Sequence, residues 1–175
     1  VMNYKLGGSF NGILNLILRE EKGYTYGARS TFIAGHNSGV FVASSGVRSN
    51  ATYESAQIFK DEIAKYRNGV SDEDFAFTKS ALTQSNARRF ETLGALAGLL
   101  GQIATYNLPF DYVKQQERII ADMTKARHQQ LAQQYLDPNK MVYLVVGDAA
   151  TQLAGLKQLG LGDPMVLDKD GNPVN

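Results

Sequence analysis

The apolar pattern of the chain changes its period at Gly23, and this change most constrains the fold. Before Gly23, apolar residues recur at the spacing of one helix face: Phe10, Ile13, Leu14, Ile17 and Leu18. After it, residues 25–34 are rich in Tyr, Thr, Phe and Ile, which is typical of a strand. Glycine readily adopts the left-handed conformation that ends helices. The sequence therefore predicts a helix with Ser9 as its N-cap, a tight corner and a strand.

A second strand and a series of helices follow. Residues 40–44 again have strand composition, and the turn-forming residues 35–39 join the two strands into a hairpin. Helical spacing and end signals then predict helices from Thr52, as a candidate N-cap, to Gly69 and from Ser71 to about Asn107, with a break near residues 90–94. Further helices are predicted over residues 110–121, 124–136 (capped by Thr124) and 149–159.

One later segment predicts a different kind of strand. Residues 141–146 form a short continuous apolar run, which indicates a strand buried on both faces. The tail after residue 164 adds one short strand at most. This order of elements predicts an α+β fold, a mostly antiparallel sheet with helices packed on one face, in a single domain over residues 1–175. A sheet of about four strands is small for this length, so we expect the opening strand and helix of the domain to be missing from this chain.

Composition excludes several classes of function. The net charge is +1 and no apolar run is long enough to cross a bilayer, so neither nucleic-acid binding nor a membrane span is expected. The chain has no cysteine, which removes thiolate chemistry. Its two histidines, His36 and His128, do not form an H-x-x-E-H motif in either direction, and both are predicted to be surface residues. No complete catalytic set and no metal site is therefore predicted, and the chain alone is expected to be inactive.

The corner itself carries a resemblance to a known family. The segment "LREEKGYTY" resembles the L-R-E-x-x-G-L-A-Y motif of the pitrilysin (insulinase) family of zinc metallopeptidases, in members similar to the mitochondrial processing peptidase. The matching positions are Leu18, Arg19, Glu20, Gly23 and Tyr26. The similarity continues through "GGSF" before the corner and "NGVSDEDF", "ETLGALAGLL", "NLPFDYV", "YLDPNKMVYLVVGD" and "LGLGDPMVLDKDGNPV" after it. It therefore spans essentially the whole chain.

The resemblance implies a role for this chain as half of a two-lobed enzyme. One lobe of such a peptidase carries H-x-x-E-H and the zinc, and the other has lost that motif and supplies an Arg/Tyr pair. This chain resembles the second lobe, with Arg19 and Tyr26 as the pair that binds substrate and the transition state. Tyr24 takes the place of the family's leucine, and the seven-residue spacing from Arg19 selects Tyr26. Cofactor and partners follow from the same resemblance: zinc in a homologous lobe, fused or separate, and a peptide substrate.

Three alternatives remain open at this stage, of which a ligand-binding module unrelated to proteolysis has little support because the sequence has no pocket-type motif. The family also contains subunits that have lost peptidase activity and serve as scaffolds, and these need neither Arg19 nor Tyr26. From the residues alone, Arg19 could simply neutralise a helix C-terminus while Tyr26 fills a sheet face. Bacterial relatives are often exported, which favours a periplasmic location over a cytoplasmic one.

Overall fold

A helical corner opens the structure, a computed structural model that describes residues 1–35, 37–88 and 90–174. A π-helical turn, Tyr4–Gly8, precedes the short helix α1 (Ile13–Asn15), which continues as a π-helical segment, Leu16–Glu21. The prediction that Ser9 caps this helix is wrong. Gly12 occupies the N-cap position, and Ser9 lies in extended backbone and accepts the amide of Gly12 through its carbonyl. The chain makes this additional turn because Gly12, without a side chain, fits against the backbone of the preceding turn.

Gly23 ends this helical segment as predicted. Its φ of 62° is left-handed, and its amide donates to the carbonyl of Arg19 at 3.2 Å. The next amide, of Tyr24, donates to the carbonyl of Leu18 at 2.8 Å. These two bonds satisfy the last carbonyls of the helix and turn the chain directly into the first strand.

The two predicted strands form an antiparallel hairpin. Strand β1 (Thr25–Ala34) pairs with β2 (Gly39–Val47), which runs beyond its predicted end at residue 44. Thr25 lies opposite Val47, whereas Ala28 lies opposite Ser45. β1 thus has one residue more than β2 over this interval, which is a β-bulge at its first residues. The prediction made for His36, in the connecting turn, lies outside the described residues.

In the described part of the chain, six further helices follow the hairpin, broadly where the sequence predicts them. They are α2 (Thr52–Tyr66), α3 (Asp72–Arg88), α4 (Leu93–Tyr106), α5 (Tyr112–Asp122), α6 (Lys125–Tyr135) and α7 (Ala149–Leu156). Short 3₁₀ turns at Ser49–Ala51, Pro138–Lys140 and Lys157–Leu159 adjoin them. Thr124 caps α6 as predicted, by accepting the amide of Arg127. Thr52 is the first residue of α2 rather than its N-cap, because the 3₁₀ turn already begins the helical path.

The prediction of a doubly buried strand at residues 141–146 is wrong. This segment has no regular secondary structure and pairs with no strand among the described residues, where the sheet has the two strands β1 and β2. Val142 and Val146 are 94% and 91% exposed. The apolar run meets the composition of a buried strand, but a strand forms only where a neighbour pairs with its backbone. The tail contains one isolated bridge, between Leu167 and Pro173.

The core lies between the helical corner, the inner face of the hairpin and two helices. Its buried side chains come from the corner (Leu6, Leu14 and Leu18), from α2 (Ile63 and Tyr66) and from the end of α6 (Ala132 and Leu136). Ala28 of β1 joins them, and Phe41 and Ala43 of β2 pack against them. The helices thus cover one face of the hairpin, which confirms the predicted α+β class.

His128 belongs to this core, which corrects its prediction as a surface residue. Its side chain is buried, and Nε2 lies 3.1 Å from the carbonyl oxygen of Met2 and 3.3 Å from the hydroxyl of Tyr66. Burial lowers the pKa of the imidazole, although the contact with the Met2 carbonyl opposes this effect. The polar neighbours of His128 in sequence lie on the solvent face of α6, and for this reason the sequence pattern predicts a surface position for His128 as well.

Gly7 marks the closest approach of the corner to the hairpin. A Cβ added there would lie 2.6 Å from both the backbone nitrogen and the hydroxyl of Ser30. We expect Gly7→Ala to lower the free energy of unfolding by about 1–3 kcal/mol, since the backbone of β1 must shift. Urea denaturation measures this change. As a control, a Cβ added at Gly98 in α4 meets no described atom within 4 Å, so Gly98→Ala should be neutral or slightly stabilising. Equal stability of the Gly7→Ala and wild-type chains would contradict the close contact.

Candidate functional site

A shallow open groove lies beside the bulge of β1. It has a volume of about 570 Å³, and its walls are residues 7–10, Asn15, residues 26–29 and residues 44–46. We call it the bulge groove. One wall is the loop before α1, and the other is the start of β1 with the end of β2. The candidate residues Arg19 and Tyr26 lie at or next to this groove.

Tyr26 lies on the bulge and lines the groove. In regular alternation it would share the face of Ala28 and Ser30, which are both buried. The bulge breaks this alternation, and Tyr26 is 99% exposed. The prediction that it merely fills a sheet face therefore does not describe its position. Its hydroxyl is available to a molecule in the groove.

Arg19 contacts a residue of the groove wall, Phe10. Its guanidinium carbon lies 4.6 Å from the centre of the Phe10 ring, a cation–π contact. Nη1 lies 3.4 Å from the carboxylate of Glu20 but makes no hydrogen bond among the described residues. Phe10 is 65% exposed and lines the groove together with Tyr26. Arg19 itself does not line the groove. It contacts Phe10, which does, and this contact places Arg19 in the same region as Tyr26.

Tyr24, the other tyrosine of the corner, has a different environment. It is half-buried and packs against the core, and the guanidinium carbon of Arg48 lies 5.1 Å from its ring centre. Tyr24 does not line the groove. The choice of Tyr26 over Tyr24, made from spacing, agrees with this geometry.

Asn15 connects the two walls of the groove. Its Nδ2 donates to the carbonyl of Phe10 at 2.8 Å, and its Oδ1 accepts the amide of Ala28 at 3.0 Å. The side chain is 3% exposed. One buried side-chain amide therefore bonds to both the Phe10 loop and β1. It fixes the distance between Phe10, which contacts Arg19, and the strand that bears Tyr26.

Two hydroxyl groups hold the bulge on its other side. The Thr25 hydroxyl oxygen lies 2.7 Å from the Gly46 carbonyl and accepts the Gly27 amide at 3.0 Å. The Ser45 hydroxyl lies 2.9 Å from both the Thr25 hydroxyl and the Gly27 carbonyl. Thr25 and Ser45 therefore bridge the strands at the point where the regular ladder is interrupted.

Sequence reasoning missed Asn15, Thr25, Ser45 and Phe10 as parts of the site. Two signals were present. Asn15 is a polar residue inside an apolar helical segment, and Thr25 stands two residues before Gly27, a spacing at which a threonine hydroxyl bonds to the backbone. The pairing of Thr25 with Ser45 depends on strand register, which the sequence does not display.

No metal site accompanies these groups within residues 1–35, 37–88 and 90–174. That part of the chain has no cluster of three His, Asp or Glu side chains able to hold an ion. It also contains no helix long and apolar enough to cross a membrane. The residues described there thus do not fit a zinc ion. The side chains that line the bulge groove are instead the aromatic rings of Phe10 and Tyr26, hydrogen-bonding side chains and the cation Arg29.

Comparison with known proteins agrees with this picture. Residues 1–82 match the family model described as the peptidase M16 inactive domain. The solved structure of a peptidase M16 inactive domain from Pseudomonas fluorescens is similar to the chain, with a TM-score of 0.70 and 26% identity. The match covers 78% of this chain and 33% of that one, so this chain corresponds to about a third of it. No curated protein matches the chain.

The described residues form an α+β domain and hold no metal-ligand cluster. Residues 1–82 match the peptidase M16 inactive domain and the fold is similar to that of such a domain, and together these findings support the C-terminal half of an M16 peptidase. The family resemblance found in the sequence is therefore confirmed.

Proposed function

We propose that this chain is the lobe of a zinc metallopeptidase that closes over a homologous zinc-bearing lobe and binds the peptide substrate between the two. The observation that carries the proposal is the position of Tyr26, fully exposed on a bulge at the wall of a groove. An exposed phenol on a rigid strand is unusual for packing but suits donation to a ligand.

The chemistry of the pair fits peptide hydrolysis. The attack of an activated water on a peptide carbonyl places negative charge on its oxygen. In this proposal Tyr26 donates its hydroxyl proton in a hydrogen bond to that oxygen. The Arg19 guanidinium, held on Phe10, binds a carbonyl of the substrate backbone nearby. The zinc of the other lobe supplies the activated water, and this chain supplies binding and orientation.

Reconstitution tests the proposal. The chain is mixed with a candidate lobe that contains H-x-x-E-H, and cleavage of a quenched peptide mixture is followed with and without a chelator. We expect no cleavage by the chain alone and chelator-sensitive cleavage by the mixture. Stable association without cleavage would contradict the proposal and favour the scaffold alternative. The periplasmic location is also a proposal, and fractionation of the cells that express the protein tests it.

A further inference from the structure

The bulge at the start of β1 has a dedicated pair of hydroxyl groups. Between the pairs Thr25–Val47 and Ala28–Ser45, β1 contains Tyr26 and Gly27 whereas β2 contains Gly46 alone, so the regular ladder is interrupted there. The amide of Gly27 donates instead to the Thr25 hydroxyl, and its carbonyl lies 2.9 Å from the Ser45 hydroxyl. The Gly27 amide is therefore satisfied by the Thr25 hydroxyl, and the Gly27 carbonyl lies within hydrogen-bond distance of the Ser45 hydroxyl.

The hydrogen-bond capacities of the two hydroxyls match this arrangement. Each hydroxyl donates once and accepts twice. Thr25 donates to the Gly46 carbonyl, at the shorter of its two carbonyl distances, 2.7 Å, and accepts from the Gly27 amide at 3.0 Å. The single proton of the Ser45 hydroxyl is shared between two acceptors at 2.9 Å, the second acceptor position of Thr25 and the Gly27 carbonyl. With either acceptor, the pair connects β1 and β2 across the bulge.

We propose that Thr25 and Ser45 are positioning residues for Tyr26, and that they hold the bulge in the one geometry that presents the tyrosine hydroxyl to the groove. This inference rests on the proposed function, because it assigns Thr25 and Ser45 to the same site. Tyr26 lies between Thr25 and Gly27, so a hydroxyl bridge that joins these two residues fixes the backbone on both sides of it.

Stability alone does not account for the arrangement. A regular pairing of β1 with β2 would satisfy the same backbone groups without side chains, and would place Tyr26 on the face of Ala28 and Ser30. The hydroxyls lie near the surface, where water competes for their hydrogen bonds, so their contribution to folding is small. The effect of the two hydroxyls is on the direction of the Tyr26 side chain.

The test uses Thr25→Val, which keeps the shape of the side chain and removes the hydroxyl, with Thr25→Ser as the variant that restores it. Thr31→Val, at an exposed site on the same strand, is the matched control. Exchange of the Gly27 amide is measured by NMR in the full chain, and kcat and KM are measured in the reconstituted two-lobed peptidase. We expect Thr25→Val to raise Gly27 exchange about tenfold and to lower kcat about tenfold with little change in KM. Thr25→Ser and Thr31→Val should behave like the wild type.

A double-mutant cycle with Tyr26→Phe separates this inference from the proposed function. If Thr25 acts through the tyrosine hydroxyl, Thr25→Val should not lower kcat further in the Tyr26→Phe background. Unchanged Gly27 exchange in Thr25→Val would overturn the inference whatever the activity. An unchanged kcat in Thr25→Val would also overturn the inference if Tyr26→Phe alone lowers kcat. If Tyr26→Phe leaves kcat unchanged, the proposed function fails. Faster exchange of the Gly27 amide in Thr25→Val would still show that the Thr25 hydroxyl holds the bulge.

Discussion

Replacement of Tyr26 by Phe is expected to lower kcat of the reconstituted peptidase about 10²–10³-fold, the usual effect of removing one transition-state donor. The variant loses a single oxygen atom. Because the side chain is 99% exposed, no packing of the chain depends on that atom. KM should change little, since the donor acts on charge that develops in the transition state. Steady-state kinetics with a quenched peptide provide the measurement, and thermal unfolding verifies that the fold is retained.

Tyr135 provides the matched control for this experiment. It is also an exposed tyrosine, 53% accessible, but it lies on α6 beside Phe32 and outside the bulge groove. Tyr135→Phe should leave kcat at the wild-type value. A peptidase in which Tyr26→Phe and Tyr135→Phe are equally active would show that the exposed hydroxyl has no part in the reaction.

The second large effect is expected for Asn15→Ala, on stability. This substitution leaves the buried Ala28 amide and the partly buried Phe10 carbonyl without their partner. Each buried group left unsatisfied costs about 1–3 kcal/mol, so we expect the free energy of unfolding to fall by roughly 2–4 kcal/mol. Urea denaturation should show a lower midpoint with an unchanged slope.

Asn11 is the natural comparison, since it lies in the same loop with its side chain exposed. Asn11→Ala should change the free energy of unfolding by no more than about 0.5 kcal/mol. If Asn15→Ala is as stable as Asn11→Ala, the two walls of the groove are held together by something other than this amide.

Local pattern was sufficient to predict most of the fold. The helix before Gly23, the left-handed glycine and the hairpin depend on periodicity and on the conformational freedom of one residue, and the structure confirms them. The strand expected at residues 141–146 failed for a different reason. Its apolar composition shows that the segment can pair, but pairing depends on a second strand that no local pattern identifies.

The site was predictable to a smaller extent. The family resemblance selected Arg19 and Tyr26 by their spacing, and their catalytic role remains a prediction. The structure adds what positions each residue: Arg19 packs on the ring of Phe10, and Tyr26 lies on the bulge of β1. Neither was accessible from sequence, because a bulge appears only when two strands are aligned, and a contact between Phe10 and Arg19 depends on how the helical corner closes.

The exposed apolar segment at residues 141–146 has a consequence for the behaviour of the chain in solution. Its six residues, "MVYLVV", contain no charge, no proline and no glycine, and they favour the extended conformation. An apolar segment that pairs with no strand in the described part of the chain is a template for edge-to-edge aggregation. We therefore expect the isolated chain to self-associate at high concentration, and a charged residue in place of Leu144, which is 77% exposed, to improve its solubility without loss of the core.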